Sequence, residues 1–359
     1  MPKRIGLLTS GGDCPGLNAF IAAATLGGIR RGWEMIGIKY GFSGLLNPSQ
    51  TITLHPDMVK DISGAGGTIL GASNNVDPYN IVMEGHPRDR SSEIIKNAKQ
   101  LKLDALLVAG GDGTINVSQQ LNTEGLPIVC VPKTIDNDVF GSNISIGFLS
   151  AVQIATRAAE ALRNTGESHR RIILLEVMGR CAGWIALYSG FASIADVIII
   201  PEIPYSLHAL EEYLKEKHIN NDTSSLVIIS EGIKKEGGEE FVHTDPITHE
   251  HVRLHGGAGN YVRNYLEKKL NSGIRVMVLG HLQRGGPPVV QDRIFAQQCA
   301  IEGLDLIASE RFNTYVAFQE GEFHALPMSN AFKKIRTIQP DDPTVRAAEE
   351  IGILFARKT

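Results

Sequence analysis

Short apolar runs that do not alternate with polar residues, each ending in glycine or a charged side chain, recur along the 359-residue chain. They read RIGLLTSGG (4–12), ALLVAGGDG (105–113), PIVCVPKT (127–134), RIILLEVMG (171–179), SLVIISEG (225–232) and RVMVLGHLQRGG (275–286). A strand with one face in water alternates, whereas a strand covered on both faces does not. These runs therefore predict a mainly parallel sheet buried between helices. Amphipathic stretches such as 90–103 and 207–217 supply the helices, and the alternation implies a three-layer α/β fold. The strands are too many for one compact sheet. Two α/β domains are expected. No linker rich in Pro, Ser or charge parts them, which predicts close packing.

Charge and composition exclude several partners. The formal net charge is -4 and no long basic run occurs, so nothing calls for nucleic acid. No stretch stays apolar for the ~18 residues of a membrane span. The N-terminus MPKRIGLLTSGGD passes from two basic residues into a strand-like run, unlike a signal peptide, and a cytoplasmic protein is expected. The four cysteines (14, 130, 181 and 299) are scattered without a CxxC pair, and read as reduced, mostly buried thiols. His249-Glu250-His251 lacks a third ligand at a telling spacing, so it reads as an ordinary polar turn rather than a metal centre.

Nearly every unusual polar residue follows an apolar run. Ligands of open parallel sheets bind beyond the carboxyl ends of the strands. Turn preference accounts for single Gly and Asp residues there, but poorly for Arg180, Glu231, His281 and Arg284 together. GGDCPGLN (11–18) offers two glycines and then helix amides to a phosphate. It is neither a Walker loop nor a GxGxxG fingerprint. GGDGT (110–114) repeats the arrangement, with Asp112 placed for Mg²⁺, which needs few carboxylates when phosphate oxygens are present. In PKTIDND (132–138), Asp136 and Asp138 flank Asn137 after a strand. A sugar hydroxyl attacking phosphorus needs such a carboxylate to take its proton. The Thr134 hydroxyl can orient a phosphate or the sugar, and Lys133 adds a movable positive charge. Arg171, Arg180, Arg275 and Arg284 with His281 supply cations of the kind that grip phosphate.

GGDxPGxN, GGDGT, PKTIDND, MGR, SEG and HLQRGG, in this order, strongly resemble the 6-phosphofructokinases over about residues 4–320. The resemblance implies phosphorylation of the C1 hydroxyl of fructose 6-phosphate with Mg²⁺, and two domains, 1–147 plus about 283–335 and 148–282 plus about 336–359, with the active site in the cleft between them. It assigns Asp136 as general base, Asp112 as magnesium ligand, and Gly12 with Gly111, Asp112, Gly113 and Thr114 as the donor cradle. It gives Arg180 the transferring phosphoryl group. Thr134, Met178, Gly179, Glu231, His281 and Arg284 match sugar-phosphate contacts. Arg171 and Arg275 match arginines that reach the 6-phosphate from a neighbouring subunit, which implies a homotetramer or a homodimer.

The resemblance leaves the donor divided. Gly113 leaves room for a nucleotide where an aspartate favours pyrophosphate. Lys133 stands where ATP enzymes carry glycine and pyrophosphate enzymes carry lysine. Steric and charge exclusion is harder to evade than an added cation, so ATP is expected, with pyrophosphate or ADP as the alternative. After GGTILG (66–71) the family's arginine is replaced, with Asn74 near its position. Arg88, Arg90 or Lys133 are candidates to replace its charge. The first helix lacks the effector-binding arginines, with none before Arg30, although Arg163 is kept. Two other readings stay open: a non-catalytic sugar-phosphate-binding subunit, and a different kinase sharing only GGDGT.

Overall fold

A computed structural model describes residues 2–73, 77–83, 86–219, 223–244, 251–253 and 256–358. The chain divides into two compact units, 1–150 with 284–336 and 151–283 with 337–359.

The first unit is built on a seven-stranded sheet. Its order is Glu322–Pro327, Thr314–Gln319, Ile128–Pro132, Ala105–Gly110, Arg4–Thr9, Glu34–Ile38, Thr51–Thr53. The five inner strands pair in parallel, and both outermost strands join antiparallel. The sheet is thus mixed at its edges, where a hairpin or short return can pair without a crossover helix. The six residues of Ala105–Gly110 are all buried, as are the five of Ile128–Pro132. That dual burial explains why the runs show no alternation. One face packs Leu8, Leu106, Val108, Ile128 and Cys130 against Ile94 and Ala98 of the helix Ser91–Gln100 and against Ile115 and Leu121 of Asp112–Thr123. The other face carries the helices Leu17–Arg30 and Val290–Ala308, which pack on each other. Each fully buried aliphatic side chain contributes about 1.5–3 kcal/mol of transfer free energy.

The second unit holds a wholly parallel four-stranded sheet, in the order Ile274–Val278, Ile172–Val177, Ser225–Ser230, Val197–Ile199. Leu210 and Leu214 of the helix Leu207–Lys217 and Val262 and Leu266 of Gly257–Leu266 cover one face through Leu174, Val227 and Ile229. Trp184–Ala192 packs against Ser225–Ser230 and Val197–Ile199. Buried Glu176, within its strand, accepts from the amides of Gly256 and Gly259 at 2.7 Å each, so a carboxylate heads the helix Gly257–Leu266. Among the described residues no helix is long and apolar enough to cross a membrane.

Candidate active site

In the first unit three neighbouring strands end side by side, about 4.8 Å apart. Their register continues past the strands: Ser10 N donates to Ala109 O and Lys133 N to Gly110 O, both at 2.9 Å. Residues 10–14, 111–114 and 133–138 therefore form one row. The helix Leu17–Arg30 starts from Gly16 in the left-handed region, φ 102°, without a side-chain cap. Asp112 is the first residue of Asp112–Thr123, whose capping position, Gly111, also lacks a side-chain cap. Both helix starts keep amides and positive dipole ends for an anion.

Two cations of this unit sit against the glycines. Lys133 is 2% exposed and its Nζ donates to Gly12 O. It is thus held in place rather than free to swing. Burial pulls its pKa below the usual lysine range; neighbouring Cys14, Asp13 and Asp136 pull it back up, and Arg284 adds to the fall. Arg284 donates to Asp13 O at 3.1 Å. A Cβ on Gly12 would lie 2.3 Å from its Nη1, so Gly12 is glycine because a guanidinium occupies the space of its side chain. The structure thus places Arg284, expected at the sugar phosphate, against the glycine loop.

The loop that follows Lys133 closes on itself. Ile146 N donates to Pro132 O at 3.2 Å, which joins its ends. Thr134 Oγ1 accepts from Asp136 N at 3.1 Å, and Ser145 Oγ donates to Thr134 O at 2.7 Å. Asn137 takes a left-handed φ of 55°, which asparagine tolerates, and its side chain donates to Asn143 O. Arg336 donates from Nη1 to Asn137 O at 3.1 Å and from its backbone N to Asp138 O at 2.8 Å. Asp136, Asn137 and Asp138 are all buried. Ser145, Asn143 and Arg336 carry no local sequence signal. They hold the loop only because the fold folds it back.

In the second unit the sheet order sets Met178–Arg180 between Glu231 and the turn Gly280–Arg284, which carries His281 and runs on into the first unit at Arg284. Arg180 N donates to Glu231 Oε1 at 3.1 Å, and Met178 N to the buried Gln283 Oε1 at 3.3 Å. Gly179 and Arg180 both have positive φ, 152° and 54°. A left-handed arginine costs on the order of 1 kcal/mol, a strain that collects at functional sites. Arg171 and Arg275 do not join this group. Arg171 precedes Ile172–Val177 and Arg275 is the second residue of Ile274–Val278, about 20 Å and about 10 Å along the strands from their carboxyl ends.

Other expected residues fall elsewhere. Arg88 lies exposed in a short two-stranded ladder, paired with Ile81. Arg90 is bound to Glu93 at 2.6 Å. Asn74 lies outside the described residues, as do His249 and Glu250. Arg163 donates to the carbonyls of Ser193 and Ile194 at a helix end. None of the four cysteines is in a disulfide; Cys14, Cys130 and Cys299 are buried, Cys181 exposed.

Backbone cradles beside a carboxylate-bearing loop are equipment for phosphoryl transfer, in which positioning and charge stabilisation do most of the work. The comparisons narrow this class. Residues 4–307 match the phosphofructokinase family model, and the chain belongs to that family. ATP-dependent 6-phosphofructokinase 1 of Synechocystis is 40% identical, over 98% of this chain and 98% of its own. The pyrophosphate–fructose 6-phosphate 1-phosphotransferase of Amycolatopsis methanolica is 38% identical, over 94% and 97%. The solved phosphofructokinase of Saccharomyces cerevisiae is 27% identical with a TM-score of 0.79, over 92% of this chain; this chain spans 45% of the yeast one.

Proposed function

We propose that the protein transfers the terminal phosphoryl group of ATP to the C1 hydroxyl of fructose 6-phosphate, giving fructose 1,6-bisphosphate. The observation that carries this reading is the row of three strand ends, where Gly11–Gly12, Gly111–Asp112 and the Thr134–Asp138 loop stand side by side. Asp136 takes the proton of the attacking hydroxyl; Thr134 Oγ1, bonded to the Asp136 amide, orients it. Arg180, Glu231, Met178, Gly179 and His281 bind the sugar phosphate and the group in transit. Asp112 fits Mg²⁺: it is a half-buried carboxylate at a phosphate cradle, and Mg²⁺ needs few carboxylates where donor oxygens are present. The bound ion would neutralise donor charge. The other cluster of acidic groups among the described residues, His208, Glu211 and Glu212, is in the second unit, and Glu211 is already bound to Lys215.

Self-association accompanies this reading. Arg171 stands too far along its strand to serve the loops of its own unit, and Arg275 lies exposed on an edge strand, which suits service to a neighbouring copy. Met277 (48% exposed) and Val278, beside Arg275 on an edge strand, and Leu282 (69%) offer the apolar surface for it.

One observation favours pyrophosphate as donor: the buried lysine against Gly12, together with the Amycolatopsis relative. Gly113, exposed and with nothing within 4 Å of a side chain placed there, favours the nucleotide. Parallel assays with ATP, ADP and pyrophosphate at fixed fructose 6-phosphate decide between them. Turnover with ATP is expected. Turnover with pyrophosphate alone sinks the donor assignment, and none with any donor sinks the enzyme reading.

A further inference from the structure

Behind the loop of Asp136 stands a second carboxylate that substrate does not reach. Asp292, in the first turn of Val290–Ala308, is fully enclosed. Its Oδ2 accepts from Ser150 N at 2.7 Å and Ser150 Oγ at 2.6 Å, and its Oδ1 from Gly147 N at 3.3 Å. Ser150 Oγ accepts in turn from Val289 N at 3.1 Å. Gly147 and Ser150 straddle the start of the helix Phe148–His169, so Asp292 takes amides that a helix start otherwise leaves open.

The same few residues are gripped from the other side. Gly147 has φ 99°, and a Cβ there would lie 2.6 Å from Cys14 Sγ. Cys14 Sγ donates to Ile146 O at 3.3 Å, and the bare Cα of Gly16 makes room for Ile146 Cγ2. Ile146 also closes the neck of the base loop against Pro132. Asp292, the glycine loop and the base loop thus meet at residues 146–150. Burial pushes the Asp292 carboxyl above the usual aspartate range, and the bonds from Ser150 and Gly147 pull it back.

We propose that Asp292 is a positioning residue for phosphoryl transfer: through Gly147 and Ser150 it fixes the neck of the loop 133–146, and with it the placement of Asp136 relative to the glycine loop. The proposal rests on the reading of Asp136 as base. The ordinary alternative is a helix cap whose loss costs stability alone. An asparagine at 292 keeps the shape but offers one acceptor oxygen instead of two and turns an NH₂ group toward an N–H donor.

The test compares Asp292→Asn and Ser150→Ala with the unaltered protein in three measurements. These are kcat and KM for fructose 6-phosphate and ATP per folded molecule, the thermal midpoint, and hydrogen–deuterium exchange of residues 133–147 without substrate. Positioning predicts that kcat falls roughly 10- to 100-fold for Asp292→Asn, less for Ser150→Ala, with both KM values within about twofold. Exchange in 133–147 quickens in both variants. A lowered midpoint with unchanged kcat per folded molecule, or unchanged exchange in that segment, overturns the proposal. If Asp292→Asn does not fold, Ser150→Ala carries the same comparison. An unaltered protein inactive on fructose 6-phosphate sinks the functional reading instead, and the exchange result still decides the fate of Asp292.

Discussion

Replacing Gly113 by aspartate isolates the donor question from the fold. Gly113 is the second residue of the helix Asp112–Thr123 and is exposed, and a Cβ there meets nothing within 4 Å. Steric cost is therefore absent. A negative charge in a first helical turn is favourable by about 0.3–1 kcal/mol, and glycine is a poor helix residue, so the thermal midpoint holds or rises slightly. The effect on catalysis has the opposite sign. At an effective dielectric constant near 20, a carboxylate and a phosphate charge separated by about 5 Å repel each other by about 3 kcal/mol, which sets the scale if residue 113 neighbours the α-phosphate as proposed. Solvent at this exposed position screens part of that, leaving roughly 1.4–2.7 kcal/mol, or a 10- to 100-fold loss in kcat/KM for ATP. Pyrophosphate has no α-phosphate with an attached nucleoside and escapes most of the penalty. The assay is kcat/KM for ATP and for pyrophosphate in both proteins at saturating fructose 6-phosphate. An unchanged ratio of the two, in a variant of unchanged midpoint, refutes the argument that the residue after Asp112 selects the donor.

Asp136→Asn is expected to lower kcat about 10²- to 10⁴-fold with little change in the KM for either substrate, read by steady-state kinetics. Gly12→Ala displaces the Arg284 guanidinium, a flexible end, so the thermal midpoint changes little while the KM for the donor rises; an unchanged KM would show that Arg284 and the loop do not act on the donor. Burial lowers the pKa of His218, whose Nε2 lies 2.9 Å from Ser225 Oγ. The unfolded chain then takes up a proton below about pH 6.5 while the folded one resists, so stability present above that pH is lost as pH falls. His218→Asn should flatten the fall in thermal midpoint between about pH 6.5 and 5. Mixing Arg275→Ala with Asp136→Asn chains, each nearly inactive, should restore part of the activity after subunit exchange; no recovery counts against a site completed by a neighbour.

All six apolar runs contain strands; five are buried on both faces, which leaves an unbroken apolar signature, whereas Ile274–Val278 is an edge strand with Arg275, Met277 and Val278 exposed, against the expectation of dual burial. Glu34–Ile38 and Val197–Ile199 escaped the same reading. The first opens on a charge and contains a glycine, and the second is three residues long within a longer apolar stretch. The antiparallel edge Thr314–Gln319 with Glu322–Pro327 is half exposed and lacks a long unbroken apolar run. Of the site, the glycine loops and the Thr134–Asp138 loop were legible because phosphate chemistry demands unusual residues in short order. Asp292, Gln283 and Arg336 were not. Each acts on residues more than 100 positions away, and one buried acid or amide, or one half-buried guanidinium, has no pattern to announce it. The position of Arg284 against Gly12 was hidden for the same reason.

Lys133 loses its water when the protein folds, not when a donor arrives. An exposed lysine must shed solvent and counter-ions at each binding event, which makes affinity fall with added salt. If Lys133 meets the donor as proposed, that desolvation cost is charged once, to the folded state, where Gly12 O already holds the side chain. Donor affinity should accordingly respond weakly to ionic strength, while the empty protein carries a standing penalty in stability. Methionine at this position would make a sturdier protein with a poorer grip on its donor.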